Sequence, residues 1–165
     1  PTRGDNYCGR GVDTHWARGT TWAMYGFALG YRHTGDERFL DASLRVTRKF
    51  ISLLDEEIVP MWDFQLDEIG PHIRDASAAS IAVCAIQELE TLGKADTSMT
   101  AAKNALLDRI CSGDYLETDP SIRGIQKMGE VGDGVGKAKY AFTSWGDYYL
   151  MEGVARELGL AINWW

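Results

Sequence analysis

The chain has 165 residues, enough for one domain with its own core, and its apolar and charged fractions are those of an ordinary globular protein. A formal charge of −7 at pH 7 argues against a nucleic-acid partner or an anionic-membrane surface, and no apolar run approaches the roughly 20 residues of a membrane span. Cys8, Cys84 and Cys111 are odd in number and lack metal-ligand spacing, so the sequence asks for no metal or cofactor and favours a reducing, cytoplasmic setting.

Five helices are predicted. The first runs from about Asp13 to Arg32, with Asp13 or Thr14 as N-cap and Gly35 as a left-handed terminator. The second covers about Asp36 to Leu54, with Phe39, Val46, Phe50 and Leu53 on one stripe and Arg45, Arg48 and Lys49 toward water. The third, about Ala76 to Leu92, opens on Asp75 as a cap and is apolar nearly all round, so it is expected to be buried on most sides, with Cys84 as a small core residue. The fourth, about Thr97 to Cys111, turns Met99, Ala102, Leu106 and Ile110 inward. The last spans about Ser144 to Leu158 and stops at Gly159. Inner helices alternating with amphipathic outer ones, joined by short turns, read as an all-α fold of helical hairpins. A toroid of hairpins and an ordinary bundle fit this periodicity equally well.

Two long irregular stretches, Asp55–Arg74 and Ser112–Thr143, separate the helices, and loops of that length are commonly functional. The first holds Trp62, Asp63 and Phe64. The second is rich in glycine and carries Lys137 and Lys139, but its glycines neither follow a strand nor open a helix as a phosphate loop would. In the first helix Arg18 and Trp22 stand four residues apart and share a face. A guanidinium fork suits a carboxylate and an indole face suits the apolar side of a sugar, so the pair is a candidate reader of an acidic sugar. The plainer alternative makes Trp22 core and Arg18 a surface charge. His15, three residues before Arg18, is a further candidate to bond a hydroxyl. Asp63, Asp75 and Asp147 are candidate site carboxylates, although Asp75 and Asp147 also fit simple roles at helix starts.

The stretch Trp16-Ala17-Arg18-Gly19 with Trp22, Tyr25 and Gly26 resembles the unsaturated glucuronyl hydrolases, glycoside hydrolase family 88. So do Tyr31-Arg32 with Thr34-Gly35-Asp36, Val59-Pro60 with Trp62-Asp63-Phe64, Arg74-Asp75 with Ser77-Ala78-Ala79, and Trp145-Gly146-Asp147-Tyr148-Tyr149, all in the family's order. The sibling unsaturated rhamnogalacturonyl hydrolases share the first block, while the Pro60 to Phe64 block is closer to the glucuronyl branch. The resemblance implies part of an (α/α)6 toroid. Because the chain opens on Pro1 and its first block is one expected mid-enzyme, residues 1–165 are expected to be the C-terminal half of a single barrel domain. As half of a ring, the chain would expose Ile81, Val83 and Ile86 and self-associate.

The implied activity is hydrolysis of lyase-generated oligosaccharides, as in glycosaminoglycan degradation, with release of the 4,5-unsaturated uronic acid at the non-reducing end. That sugar is a vinyl ether. A general acid protonates C4, water adds at C5, and the hemiketal opens to free the aglycone, so the two-carboxylate glycosidase scheme is not required. The resemblance puts the principal catalytic aspartates upstream of Pro1, which leaves the fragment inactive by itself. It assigns substrate binding to Arg18 and Trp22, and His15, Trp62, Asp147 and Lys139 complete the candidate set. Cys8 departs from a family glutamine. The stretch from Gly134 to Lys139 keeps the lysine of a sulfate-reading loop but not its hydroxyls, which leaves sulfate preference open. The rival reading is a non-catalytic helical carbohydrate-binding or scaffold module.

Overall fold

A computed structural model describes residues 8–67, 73–130 and 142–160. These residues hold five helices: α1 (Ala17–Thr34), α2 (Glu37–Ser52), α3 (Ala76–Thr91), α4 (Thr97–Ile110) and α5 (Ser144–Glu157). Strand-like pairing among them is confined to the bridges Trp16–Asp63, Met61–Arg74 and Leu116–Gln126. The fold is all-α, as the periodicity predicts. No helix among the described residues is long and apolar enough to cross a membrane.

Four of the helices start on side chains that accept from the first free backbone N–H groups. Asp36 accepts from Arg38, Asp75 from Ser77 and Ala78, Asp96 from Ser98 and Met99, and Thr143 from Gly146. The start of α1 differs. It begins at Ala17 rather than at Asp13, with Trp16 as an extended N-cap that makes no side-chain capping bond. The cause is the loop before α3. Ala17 N–H donates to the Trp62 carbonyl at 2.9 Å and Phe64 N–H to the His15 carbonyl at 3.0 Å, which keeps residues 15 and 16 extended. Thr14 is spent elsewhere, bonding the Gly11 carbonyl and Asp63.

The core is α3, buried from Ala76 to Leu89 by α1, α4 and α5. Ile81, Val83 and Ile86 are fully covered, so the expectation that they form an open face is corrected. The buried stripe of α2 also differs from the predicted one, running through Leu40, Ser43, Thr47 and Phe50. Small hydroxyl residues let α2 lie close on α1, where the Ser43 hydroxyl donates to the Met24 carbonyl at 2.8 Å. Contacts at both ends make α1, α3 and α5 parallel. Arg18 of α1 meets Asp75 and Trp145 at one end. At the other end the fully buried Glu88 pairs with Arg156 at 3.0 Å and Arg32 at 3.4 Å. Near that end Glu152 pairs with Arg156 at 2.9 Å and accepts the Tyr25 hydroxyl at 2.5 Å. Helices α2 and α4 lie outside.

Candidate substrate-binding site

The site is built where α1, α3 and α5 begin. Trp16 folds back across the first turn of α1, and this requires a glycine at position 19. A Cβ there would stand 2.5 Å from Trp16 Cε3. The guanidinium carbon of Arg18 lies 5.1 Å from the Trp16 ring centroid, and Trp145 brings a second indole to 5.3 Å. Cation–π attraction to both rings restrains the fork. Arg18 Nη1 donates to Asp75 Oδ2 at 2.7 Å and to the Glu130 carbonyl. Both hydrogen bonds made by the guanidinium among the described residues use Nη1. The residue is only 5% exposed, which sets aside the reading of Arg18 as a surface charge.

Asp75 is fully buried and divides its two oxygens. Oδ1 accepts from Ser77 N–H at 3.1 Å, Ala78 N–H at 3.3 Å and the Ser77 hydroxyl at 2.5 Å, Oδ2 takes Arg18, and the Glu130 N–H is a further donor to the carboxylate. Burial pushes this carboxyl above its usual range, against the pull of Arg18, the Ser77 hydroxyl and the backbone donors. Trp145 is held by an Nε1–H bond to Ser77 Oγ at 3.3 Å. The following Gly146 is as constrained as Gly19, since a Cβ there would meet Thr143 Oγ1 at 2.8 Å and Gln126 Oε1 at 2.9 Å.

Trp22 lies one turn beyond Arg18, and the α5 register repeats the step. Arg18 faces Trp145, and Trp22 packs edge-on against Tyr149 with centroids 5.1 Å apart. Tyr149 in turn contacts Tyr148 at 4.8 Å and Tyr25 at 6.1 Å. Burial and the neighbouring Glu152 raise the Tyr149 phenol to about 12, so it is a neutral hydroxyl at physiological pH. Trp22 is 37% exposed, and its open surface is available to a sugar face.

No family model matches the chain. It is 32% identical over 164 residues to an unsaturated chondroitin disaccharide hydrolase of Streptococcus pneumoniae, covering 94% of this chain and 40% of that protein. Among solved structures it matches the unsaturated glucuronyl hydrolase of Bacillus sp. GL1, described as responsible for the degradation of glycosaminoglycan. The TM-score is 0.84 at 30% identity, over 94% of this chain and 42% of the other. It also matches a Streptococcus agalactiae unsaturated glucuronyl hydrolase variant complexed with dGlcA-GalNAc6S, with TM-score 0.80 and 31% identity over 95% of this chain and 43% of the other. The chain is a relative of the unsaturated glucuronyl hydrolases. Its helical hairpins are accordingly part of an (α/α) toroid, and it spans less than half the length of the relatives named.

In this glucuronyl hydrolase relative the other candidates fall in different places. Asp147 stands in the first turn of α5 and accepts from Ile125 N–H at 3.1 Å and Gln126 N–H at 2.8 Å, tying the loop after α4 to the helix. Trp62 is 4% exposed, and its backbone straps α1 to Ile73. Asp63 is an organiser of the same loop, accepting from Thr14, Arg10 N–H and Gln65 N–H. His15 precedes α1 instead of sharing its face. Its Nδ1 meets Gln65 Nε2 at 2.6 Å, and it lines a cleft of about 570 Å³ with Arg45 and Lys49 that does not include Arg18 or Trp22. Lys139 and the glycine-rich stretch around it lie outside the described residues.

Three partners of Arg18 were not found as site residues from sequence: Trp16, Trp145 and the Glu130 carbonyl. Trp16 stands two residues before Arg18, a spacing that shares no helix face, and it reaches the arginine because it is outside the helix. Trp145 and Glu130 lie more than 100 positions away, where spacing rules give no signal.

Proposed function

We propose that residues 1–165 form the C-terminal half of a single (α/α)6 glycoside hydrolase domain and supply the subsite that reads the carboxylate of a 4,5-unsaturated uronic acid. The observation that carries this reading is the buried Arg18, in cation–π contact with two indoles and hydrogen-bonded among the described residues through Nη1. Trp22 offers the sugar a stacking face one turn along. The solved relatives add support, one holding dGlcA-GalNAc6S and another described as degrading glycosaminoglycan. The reaction is hydration of the vinyl ether. Arg18 binds and orients the carboxylate at C6 while a general acid protonates C4 and water adds at C5; the hemiketal then opens. The principal catalytic aspartates belong to the other half of the domain. The three free cysteines fit a cytoplasmic setting.

The test uses the full-length protein, an unsaturated uronyl disaccharide and its methyl ester, with turnover followed by loss of the double bond's ultraviolet absorbance. Comparing acid with ester removes any general loss of folded enzyme. Arg18→Ala is expected to lower the acid-over-ester preference in kcat/KM on the order of 100-fold, the scale of an unpaired buried carboxylate. An unchanged preference rejects Arg18 as the reader. Absence of turnover in the unmodified protein, with the disaccharide still bound, favours a carbohydrate-binding module.

A further inference from the structure

We infer that Asp75 is a positioning residue for substrate recognition, holding Arg18 by one corner so that its opposite edge meets the substrate carboxylate. The inference rests on the proposed role of Arg18 and adds to it a residue that touches no substrate. A helix cap needs one oxygen acceptor, and serine, threonine or asparagine supplies it as well as aspartate does. Asp75 caps α3 through Oδ1 alone. Its second oxygen, Oδ2, is an excess over the needs of the helix, and it is placed 2.7 Å from Arg18 Nη1 with both side chains buried. A buried arginine without a counter-charge is costly, so Asp75 offsets the burial of the guanidinium.

The surroundings restrain the arginine. Trp16 and Trp145 both lie within cation–π reach of it, and the Glu130 carbonyl shares the Nη1 corner with Asp75. Arg18 therefore gives up its rotamer freedom when the protein folds and not when the ligand arrives, which is the gain from preorganisation. The division of labour also requires a planar fork. A lysine ammonium drawn onto Asp75 has no second edge to offer.

The experiment again compares the free acid with its methyl ester on the full-length protein. Asp75→Asn keeps a cap acceptor and removes the charge. It is expected to raise KM for the acid roughly 10-fold, to leave kcat within about threefold, and to lower the acid-over-ester preference roughly 10-fold. A purely structural Asp75 would depress acid and ester in parallel, and that result overturns the inference while leaving Arg18 as reader. An Arg18→Ala enzyme that keeps its acid preference removes the reading on which the inference stands. If Asp75→Asn does not fold, Arg18→Lys decides. This variant retains the ion pair with Asp75 and is expected to lose the preference as fully as Arg18→Ala does. A lysine enzyme that still prefers the acid shows that no shared edge is needed, and the inference falls.

Discussion

Gly19 governs whether Trp16 can lie against Arg18. Replacing it with alanine gains up to about 1 kcal/mol of helix propensity but drives a methyl into an indole already pinned by the guanidinium. Overpacking of this kind costs about 1–3 kcal/mol, so the clash wins. Gly19→Ala is expected to lower the thermal midpoint and to weaken acid-over-ester preference together; a variant that is more stable and equally selective would show that Trp16 moves freely. At this scale the sequence was partly legible. The Arg18–Trp22 spacing pointed to one face of α1, and α5 answers it residue for residue with Trp145 and Tyr149. What spacing could not supply was the clamp, because Trp16 acts from outside the helix and Asp75, Glu130 and Trp145 come from distant segments. Asp147 and Asp63, read as site carboxylates, are instead occupied by backbone N–H groups.

Two elements carry predictions. The loop from Asp55 to Arg74 is closed by its own ends, where the buried Arg74 donates to both Asp55 oxygens at 2.8 Å and to the Val59 carbonyl. Arg74 holds the Asp55 carboxyl below its usual value of 3.8. The ionised form is therefore favoured by folding, so the stability it brings is present above that value and is lost as pH falls through the lower folded-state value. Asp55→Asn is expected to cost about 1 kcal/mol at pH 7, modest because water reaches Asp55, with a difference that shrinks below about pH 4. Denaturant unfolding at several pH values checks this, and a gap independent of pH counts against the pairing. In α3, Glu88 joins the ends of three helices from full burial, and Glu88→Ala leaves Arg156 without that partner. A loss of about 3–5 kcal/mol is expected in the same measurement. Helix existence and most boundaries followed from Gly35, Asp75, Gly159 and the apolar run of α3, because caps and periodicity are local. The start of α1 and the buried stripe of α2 did not, since cross-loop backbone bonds and close helix packing override local pattern.

Across the whole molecule, α3 is buried from Ala76 to Leu89 within this one chain, so residues 1–165 have a core of their own. Produced by themselves they are expected to unfold in one cooperative helical transition, and Ile81→Ala to lower stability by about 2–5 kcal/mol. A gradual, multistep loss of circular dichroism would show that the enclosure is not maintained. The two ends of the parallel helices are fastened differently. At one end a buried ionic network spans Arg32, Glu88, Arg156, Glu152 and Tyr25; at the other the helix starts are joined by one ion pair, Arg18–Asp75, and by the Trp145–Ser77 hydrogen bond. Local opening follows the weaker fastening. Backbone amides near Ser80 can therefore exchange with solvent through brief fraying around Arg18, while those near Glu88 wait for global unfolding. Opening at the Arg18 end would leave the ionic network at the far end to keep the three helices in register.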